Sequence, residues 1–185
     1  MESPAPTQRE SVYAGTYECV ARFGFAKTTL DDVAREAGCS RATLYRYFPG
    51  KTALVRAAAD AEIHEVVTAT NTAAATAATL EDAITEMVLT AARELTGNDA
   101  LTFVLEHEPE LVLGHLSFEG GDRLLAESAR RFTPALARFL PWDRAERAAE
   151  WCTRVLLAHL HPIGAPISMT DDVAVRGLVR RFVLA

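Results

Sequence analysis

Residues 29–48, TLDDVAREAGCSRATLYRYF, decide how this chain is read. Thr29 is an N-cap residue whose hydroxyl can accept the free N–H of Asp32, and Asp31 and Asp32 favour the positive end of a helix. Leu30, Val33, Ala34 and Ala37 follow at i, i+3, i+4 and i+7 as one apolar stripe. Gly38 stands where a helix ends in a left-handed cap. Ser40 can cap a second helix, in which Leu44 and Phe48 face inward and which Pro49-Gly50 stops. Two short helices joined by a tight, glycine-containing turn are predicted, the helix-turn-helix pattern.

On a wheel of about 100° per residue, the face opposite Leu44 carries Ala42, Thr43, Tyr45 and Arg46, with Arg41 in the first turn and Tyr47 on the flank. A long cation, a hydroxyl, a methyl and phenol rings are the groups that meet base edges, thymine methyls and phosphates in a major groove. An ordinary solvated helix face is the alternative. Two outward tyrosines weigh against it, because solvation alone does not call for aromatic rings.

With these residues in place, the chain resembles the tetracycline-repressor (TetR) type of bacterial one-component regulators. The resemblance spans about Val12 to Leu54 and rests on Phe23-Gly24-Phe25, Thr28-Thr29, Val33-Ala34, Ala37-Gly38, Ser40, Thr43-Leu44-Tyr45, Phe48 and Lys51. Cys39 stands where the family commonly has an aliphatic residue, and Thr52 where it commonly has an acidic one. By position, the resemblance implies that Arg41, Ala42 and Tyr45 approach bases and that Thr29, Thr43, Tyr47 and Lys51 hold phosphates, with Arg46 able to do either. Lys51 has separate support: it opens the next helix, where its charge adds to free N–H groups in an arrangement that suits a phosphate.

Composition bounds the rest. The chain has 185 residues, 49% hydrophobic and 24% charged, which is ordinary for a globular protein and leaves room for one large domain or two small ones. No apolar run reaches membrane-spanning length, and MESPAPTQRE has neither a basic start nor an apolar signal core, so a cytoplasmic location without a membrane partner is expected. Cys19, Cys39 and Cys152 are odd in number and widely spaced, suggesting neither a disulfide framework nor a zinc site. A net charge of −6 argues against nucleic acid until the chain is divided. Residues 1–56 carry eight Lys/Arg against six Asp/Glu, and the remainder eleven against nineteen. Arg41, Arg46, Lys51 and Arg56 can therefore supply local phosphate contacts on an acidic protein.

Periodicity predicts an all-α chain. A first helix near 8–23 buries Val12, Thr16, Cys19, Val20 and Phe23 and ends at Gly24. A long alanine-rich helix runs from Lys51 to about Ala75, with the threonine-rich end TATNTAAATAAT expected to fray. Thr79 opens another, with Asp82 at the capping-box position and Leu80, Ala83, Ile84, Met87, Val88, Ala91 and Leu95 in register. A short helix passes through Leu101, Val104 and Leu105 before Pro109, and His107 to Gly121 is the least regular stretch. Further helices are predicted near 122–140, with a kink at Thr133-Pro134, and near 143–161 and 170–184. The expected division is a three-helix helix-turn-helix domain over residues 1–50, with 1–7 disordered, followed by a helical effector-binding and dimerisation domain over 51–185.

The last two helices are apolar on more sides than one subunit covers. Val155, Leu156, His159, Leu160, Leu178, Val179 and Phe182 are accordingly expected at a homodimer interface, as the resemblance also implies; a central helix buried in a monomer is the alternative. A dimer presents two recognition helices about 34–36 Å apart to successive major grooves of a palindrome. No catalytic residue, metal site or cofactor is expected. His159-Leu160-His161 has no cysteine or carboxylate at a ligand spacing, Glu106, Glu108 and Glu110 around Pro109 read as a solvated loop, and neither G-x-S-x-G nor a phosphate-binding loop is present. The resemblance implies a pocket, from about residue 57 onward, for a small, largely apolar effector of unknown identity. Met87, Phe103, Leu105, His107, Phe118, Phe132 and Trp151 are candidates to line it, with plain core as the alternative. The implied function is a homodimeric repressor released by that effector from a double-stranded DNA operator. Alternatives are an activator or effector-independent regulator and, from another class, a helical small-molecule-binding protein or enzyme.

Overall fold

The computed structural model describes residues 7–111, 119–159 and 168–183, the side chains of 119–125 excepted. Among the described residues every regular element is helical: α1 (Gln8–Lys27), α2 (Leu30–Glu36), α3 (Arg41–Tyr47), α4 (Lys51–Ala75), α5 (Leu80–Thr96), α6 (Asp99–His107), α7 (Glu119–Leu136), α8 (Trp142–His159) and α9 (Asp172–Phe182). The chain is all-α, with the helix-turn-helix near its N-terminus. It forms two compact units, the first of residues 1–63 and 98–112, the second of 64–97 and 113–185. This division differs from a cut at residue 50, because α4 contributes to both units and α6 belongs to the first.

In the first unit, Thr7 caps α1: its hydroxyl accepts the Glu10 N–H at 3.3 Å, and the Glu10 carboxylate accepts the Thr7 N–H at 2.6 Å. Thr7 is thus an ordered helix start, and the rest of the segment expected to be disordered lies outside the described residues. Val12, Thr16, Cys19 and Val20 are buried as the periodicity predicts. Phe23, read as the end of that stripe, is instead 44% exposed, next to the break at Gly24. Gly24 has φ 78° and ψ 166°, outside helical geometry and in the left-handed half of φ that favours glycine. Val12, Cys19, Val33, Ala34, Leu44, Phe48 and Leu54 close one core beneath α1, α2, α3 and the start of α4. Both α2 and α6 pack on α1.

In the second unit, α7 and α8 pack along each other and α9 packs on α5. Ile84, Met87, Leu89, Leu136, Val175 and Val179 are among its buried residues. Helix α4 ends at Ala75, as the sequence pattern predicts, and residues 76–79 of the threonine-rich stretch lie outside it. Thr68 and Thr72 donate to the carbonyls of His64 and Thr68, each at 2.8 Å, which keeps their hydroxyls satisfied along the helix. Helix α7 continues through Pro134 and ends at Leu136, so the missing amide falls in its last turn. Val179, expected to face a second subunit, is 1% exposed in the chain's own core, which leaves it no surface for a partner.

Candidate nucleic-acid interface

The candidate recognition surface is built on a short helix rooted at two points. Ser40 caps α3 by accepting the Thr43 N–H at 3.1 Å, and Leu44 and Phe48 anchor its inner face, 0% and 4% exposed. Gly38, at φ 63°, turns the chain between α2 and α3. With these anchors in the core, Arg41, Ala42, Tyr45, Arg46 and Tyr47 are exposed together and Thr43 is half-buried.

Each predicted DNA-binding side chain has a definite partner or orientation. Arg41 forms an ion pair with Asp31 across the turn. Thr43 shares a hydrogen bond with the Ser40 hydroxyl at 2.9 Å. Tyr45 makes none among the described contacts and is 56% exposed. The Arg46 guanidinium lies 5.0 Å from the centre of the Tyr47 ring and donates to its hydroxyl at 3.3 Å. Arg9 approaches the same ring, 6.0 Å from its centre. Tyr47 thus has two cations near its ring, and Arg9 is not among the residues that the sequence pattern marks. Nothing local in the sequence marks that pairing, since it joins α1 to α3.

Thr29 and Lys51 work on the scaffold as well as facing solvent. Thr29 closes a capping box with Asp32, whose carboxyl is held below its ordinary range by the Thr29 hydroxyl first and by Arg35 in addition. Lys51 donates to the carbonyl oxygens of Phe25 and Ala26 at 2.9 and 3.1 Å and lies 4.6 Å from the centre of the Phe25 ring. An ammonium has three donors, so these two bonds leave one over. On the other side of the same backbone, the Glu108 carboxylate accepts the Phe25 N–H at 2.7 Å and the Ala26 N–H at 2.9 Å. Glu108, read as part of a solvated loop, is therefore a half-buried cap on the end of α1.

The effector candidates fall in different units. Phe103, Leu105 and His107 lie on α6 in the first, where the Phe103 and His107 rings stack with centres 4.4 Å apart. Met87, Phe132 and Trp151 belong to the second; Met87 is buried in its core, and Trp151 lies 6.3 Å from Phe182, ring centre to ring centre. Phe118 lies outside the described residues. Of the dimer candidates, Val155, Leu156 and Leu178 are half-buried against the second unit's core, and Phe182 is 57% exposed. His159 bonds the Val155 carbonyl at 2.7 Å through Nδ1. Leu160 lies outside the described residues. Among the described residues no His, Cys, Asp and Glu group could hold a metal ion, and no helix is long and apolar enough to cross a membrane.

Comparison with known proteins meets this surface. Residues 12–58 match the model of a family described as bacterial regulatory proteins, tetR family. The chain is 27% identical over 159 residues to an uncharacterized HTH-type transcriptional regulator of Mycobacterium tuberculosis, covering 86% of this chain and 75% of that one, and a regulator from a second strain matches equally. Among solved structures, the TetR family repressor AlkX of Dietzia sp. superposes with a TM-score of 0.72 at 18% identity, over 96% of each chain. The fatty acid degradation regulator FadR of Bacillus halodurans gives a TM-score of 0.66 at 14% identity, also over 96% of each. At such identities the likeness to these two is one of fold.

Proposed function

We propose that this chain, whose residues 12–58 match the TetR family of bacterial regulatory proteins and which is a DNA-binding transcriptional regulator, works as a homodimeric repressor of a palindromic operator, released by a small, largely apolar effector. The observation that carries the DNA-reading part is the exposed face of α3. Arg41, Ala42, Tyr45 and Arg46 point outward from a helix pinned by Leu44 and Phe48. Arg41, Ala42 and Tyr45 approach bases; Thr29, Thr43, Tyr47 and the remaining donor of Lys51 hold phosphates, which fix register without reading sequence. The protein acts in the cytoplasm, where its DNA lies.

Two features support the rest. Apolar side chains stand out on the last helix, with Val173 79% and Phe182 57% exposed. Surface of that kind favours a partner helix, and a second copy doubles the recognition heads for a two-fold symmetric site. Among the described residues of the second unit the buried polar side-chain groups are hydroxyls and one amide, and the oxygens Thr70 Oγ1, Asn71 Oδ1 and Thr85 Oγ1 have no partner there. The buried side chains described in this unit carry no charge, which favours a largely apolar effector over an ionic one.

Selection of bound duplexes from random DNA tests the reading. A two-fold symmetric consensus is expected, and Ala at both 41 and 45 should abolish binding to it while the dimer stays folded. Full affinity in that variant would remove α3 from the interface. Thermal shifts against a panel of alkanes, fatty acids and aromatic acids test the effector, since a ligand specific to the native state raises the melting temperature.

A further inference from the structure

The α1–α2 junction is held from both sides by charged side chains that come from elsewhere in the chain. The peptide unit between Phe25 and Ala26 places its N–H on Glu108 at 2.9 Å and its C=O on Lys51 at 2.9 Å. Its neighbours follow suit: the Phe25 N–H meets the other Glu108 oxygen at 2.7 Å, and the Ala26 C=O meets Lys51 at 3.1 Å. Carboxylate and ammonium thus polarise the same short stretch of backbone in one sense, and hydrogen bonds to charged partners are the strong ones. The break at Gly24 makes this possible. A Cβ there would stand 2.7 Å from Phe103 Cε1 and 2.8 Å from Glu108 Oε1, so only glycine lets α6 and its cap come this close.

The held segment leads directly into the reading head. Thr28 returns both its N–H and its hydroxyl to the Gly24 carbonyl, at 3.1 and 2.7 Å, and Thr29 is already the N-cap of α2. No flexible link separates the grip from the helix that carries the turn and α3. The covalent path adds a second consequence. The chain passes between the two compact units within α4, at 97/98 and at 112/113, and the last two passages flank α6 and Glu108.

We propose that Glu108 is a positioning residue for DNA reading: its carboxylate fixes the α1–α2 junction in the pose from which α3 meets the operator. The proposal rests on the assignment of α3 as the recognition helix and adds a residue that touches no base or phosphate. Generic electrostatics predicts the opposite outcome, because removing a negative charge from a DNA-binding head strengthens binding to every sequence.

The test compares E108Q, E108D and the control E110Q on two duplexes, one selected by the wild-type protein from random DNA and one scrambled, by fluorescence anisotropy at fixed salt. Gln keeps the shape and loses one acceptor. Asp keeps the charge and, one methylene shorter, cannot span both amides. Both variants are expected to lose roughly tenfold in affinity for the selected duplex, the worth of one charged hydrogen bond, and nothing on the scrambled one. The salt dependence on the selected duplex stays as in wild type, since no phosphate contact is removed, and amide exchange at Phe25 and Ala26 quickens. Wild-type affinity in E108D, parallel tightening on both duplexes in E108Q, or collapse of the fold in both variants overturns the proposal. If the wild-type protein selects no sequence at all, the assignment of α3 fails instead, and the amide exchange still reports whether Glu108 grips the junction.

Discussion

Asp31, in the first turn of α2, holds the guanidinium of Arg41, the first residue of α3. On the proposed reading, in which Arg41 approaches a base, the carboxylate holds that cation across the turn and DNA would have to displace it. Exposed pairs of this kind are worth about 0–1 kcal/mol, so the exchange costs little. Asp31→Asn is expected to raise affinity for scrambled duplex by up to about fivefold and to narrow the margin between selected and scrambled sequence. Anisotropy titrations on both duplexes check it; unchanged affinities would mean that the pair neither restrains Arg41 nor repels phosphate.

Tyr47 gathers two cations, with Arg46 at 5.0 Å and Arg9 at 6.0 Å from its ring centre. Tyr47→Ala is expected to weaken binding several-fold on every duplex, since each exposed cation–π contact is worth about 0.5–1 kcal/mol. Tyr47→Phe keeps the ring and should fall between wild type and Ala. A loss confined to the selected duplex would instead place Tyr47 among the base-reading residues.

Two glycines with similar positive φ make a contrast. Gly38, at φ 63°, has nothing within 4 Å of an added Cβ, whereas Gly24, at φ 78°, would drive one into Phe103 and Glu108. Gly38→Ala is expected to cost only the left-handed penalty, about 1–2 kcal/mol. Gly24→Ala adds overpacking of about 1–3 kcal/mol. Urea unfolding of the two variants measures the difference, and equal losses would show that α6 yields freely at the junction.

The second unit carries an acid-sensitive network. Arg176 reaches Asp82 at 2.8 Å and Asp172 at 2.9 Å, and Arg180 reaches Glu81 at 2.9 Å. The Thr79 hydroxyl first, and Arg176 next, hold the Asp82 carboxyl below its ordinary range; Arg180 does the same for Glu81. A carboxyl lowered in the folded state stabilises fully above the unfolded value, about 4, and the gain fades as pH falls through the folded one. Melting temperature should therefore drop below about pH 4, and Arg176→Met should lower it at neutral pH while making the acid drop shallower. An acid profile of Arg176→Met parallel to wild type would remove these carboxylates from the explanation. The side chains are partly solvated, so added salt should shrink the effect.

The parts legible in the sequence are those that local chemistry encodes. Thr29 with Asp32, Ser40 with Thr43 and Thr79 with Asp82 each mark a helix start within four residues, and the structure forms all three caps. Gly24 and Gly38 mark breaks because few other residues adopt their φ. Glu108 was hidden because its partners, Phe25 and Ala26, lie more than eighty positions away and are backbone amides, which carry no residue-type signal. Lys51 was legible as a cation at a helix start, but its hold on two carbonyls depends on how α1 ends. On α9 an apolar pattern marks Val179 and Phe182 alike; packing buries the first and exposes the second. Periodicity tells which residues avoid water, not which element covers them.

The association of α6 with α1 bears on modularity. Residues 12–58 match the regulatory family as one continuous stretch, yet the compact unit that contains them also includes 98–112. A recognition head cut at residue 58 and grafted onto a foreign sensor would leave α1 without α6 and the Phe25 and Ala26 amides without Glu108. Hybrid regulators made from this protein therefore need two pieces of chain spliced in, and a library of sensor swaps at one junction would fail for reasons unrelated to the sensors.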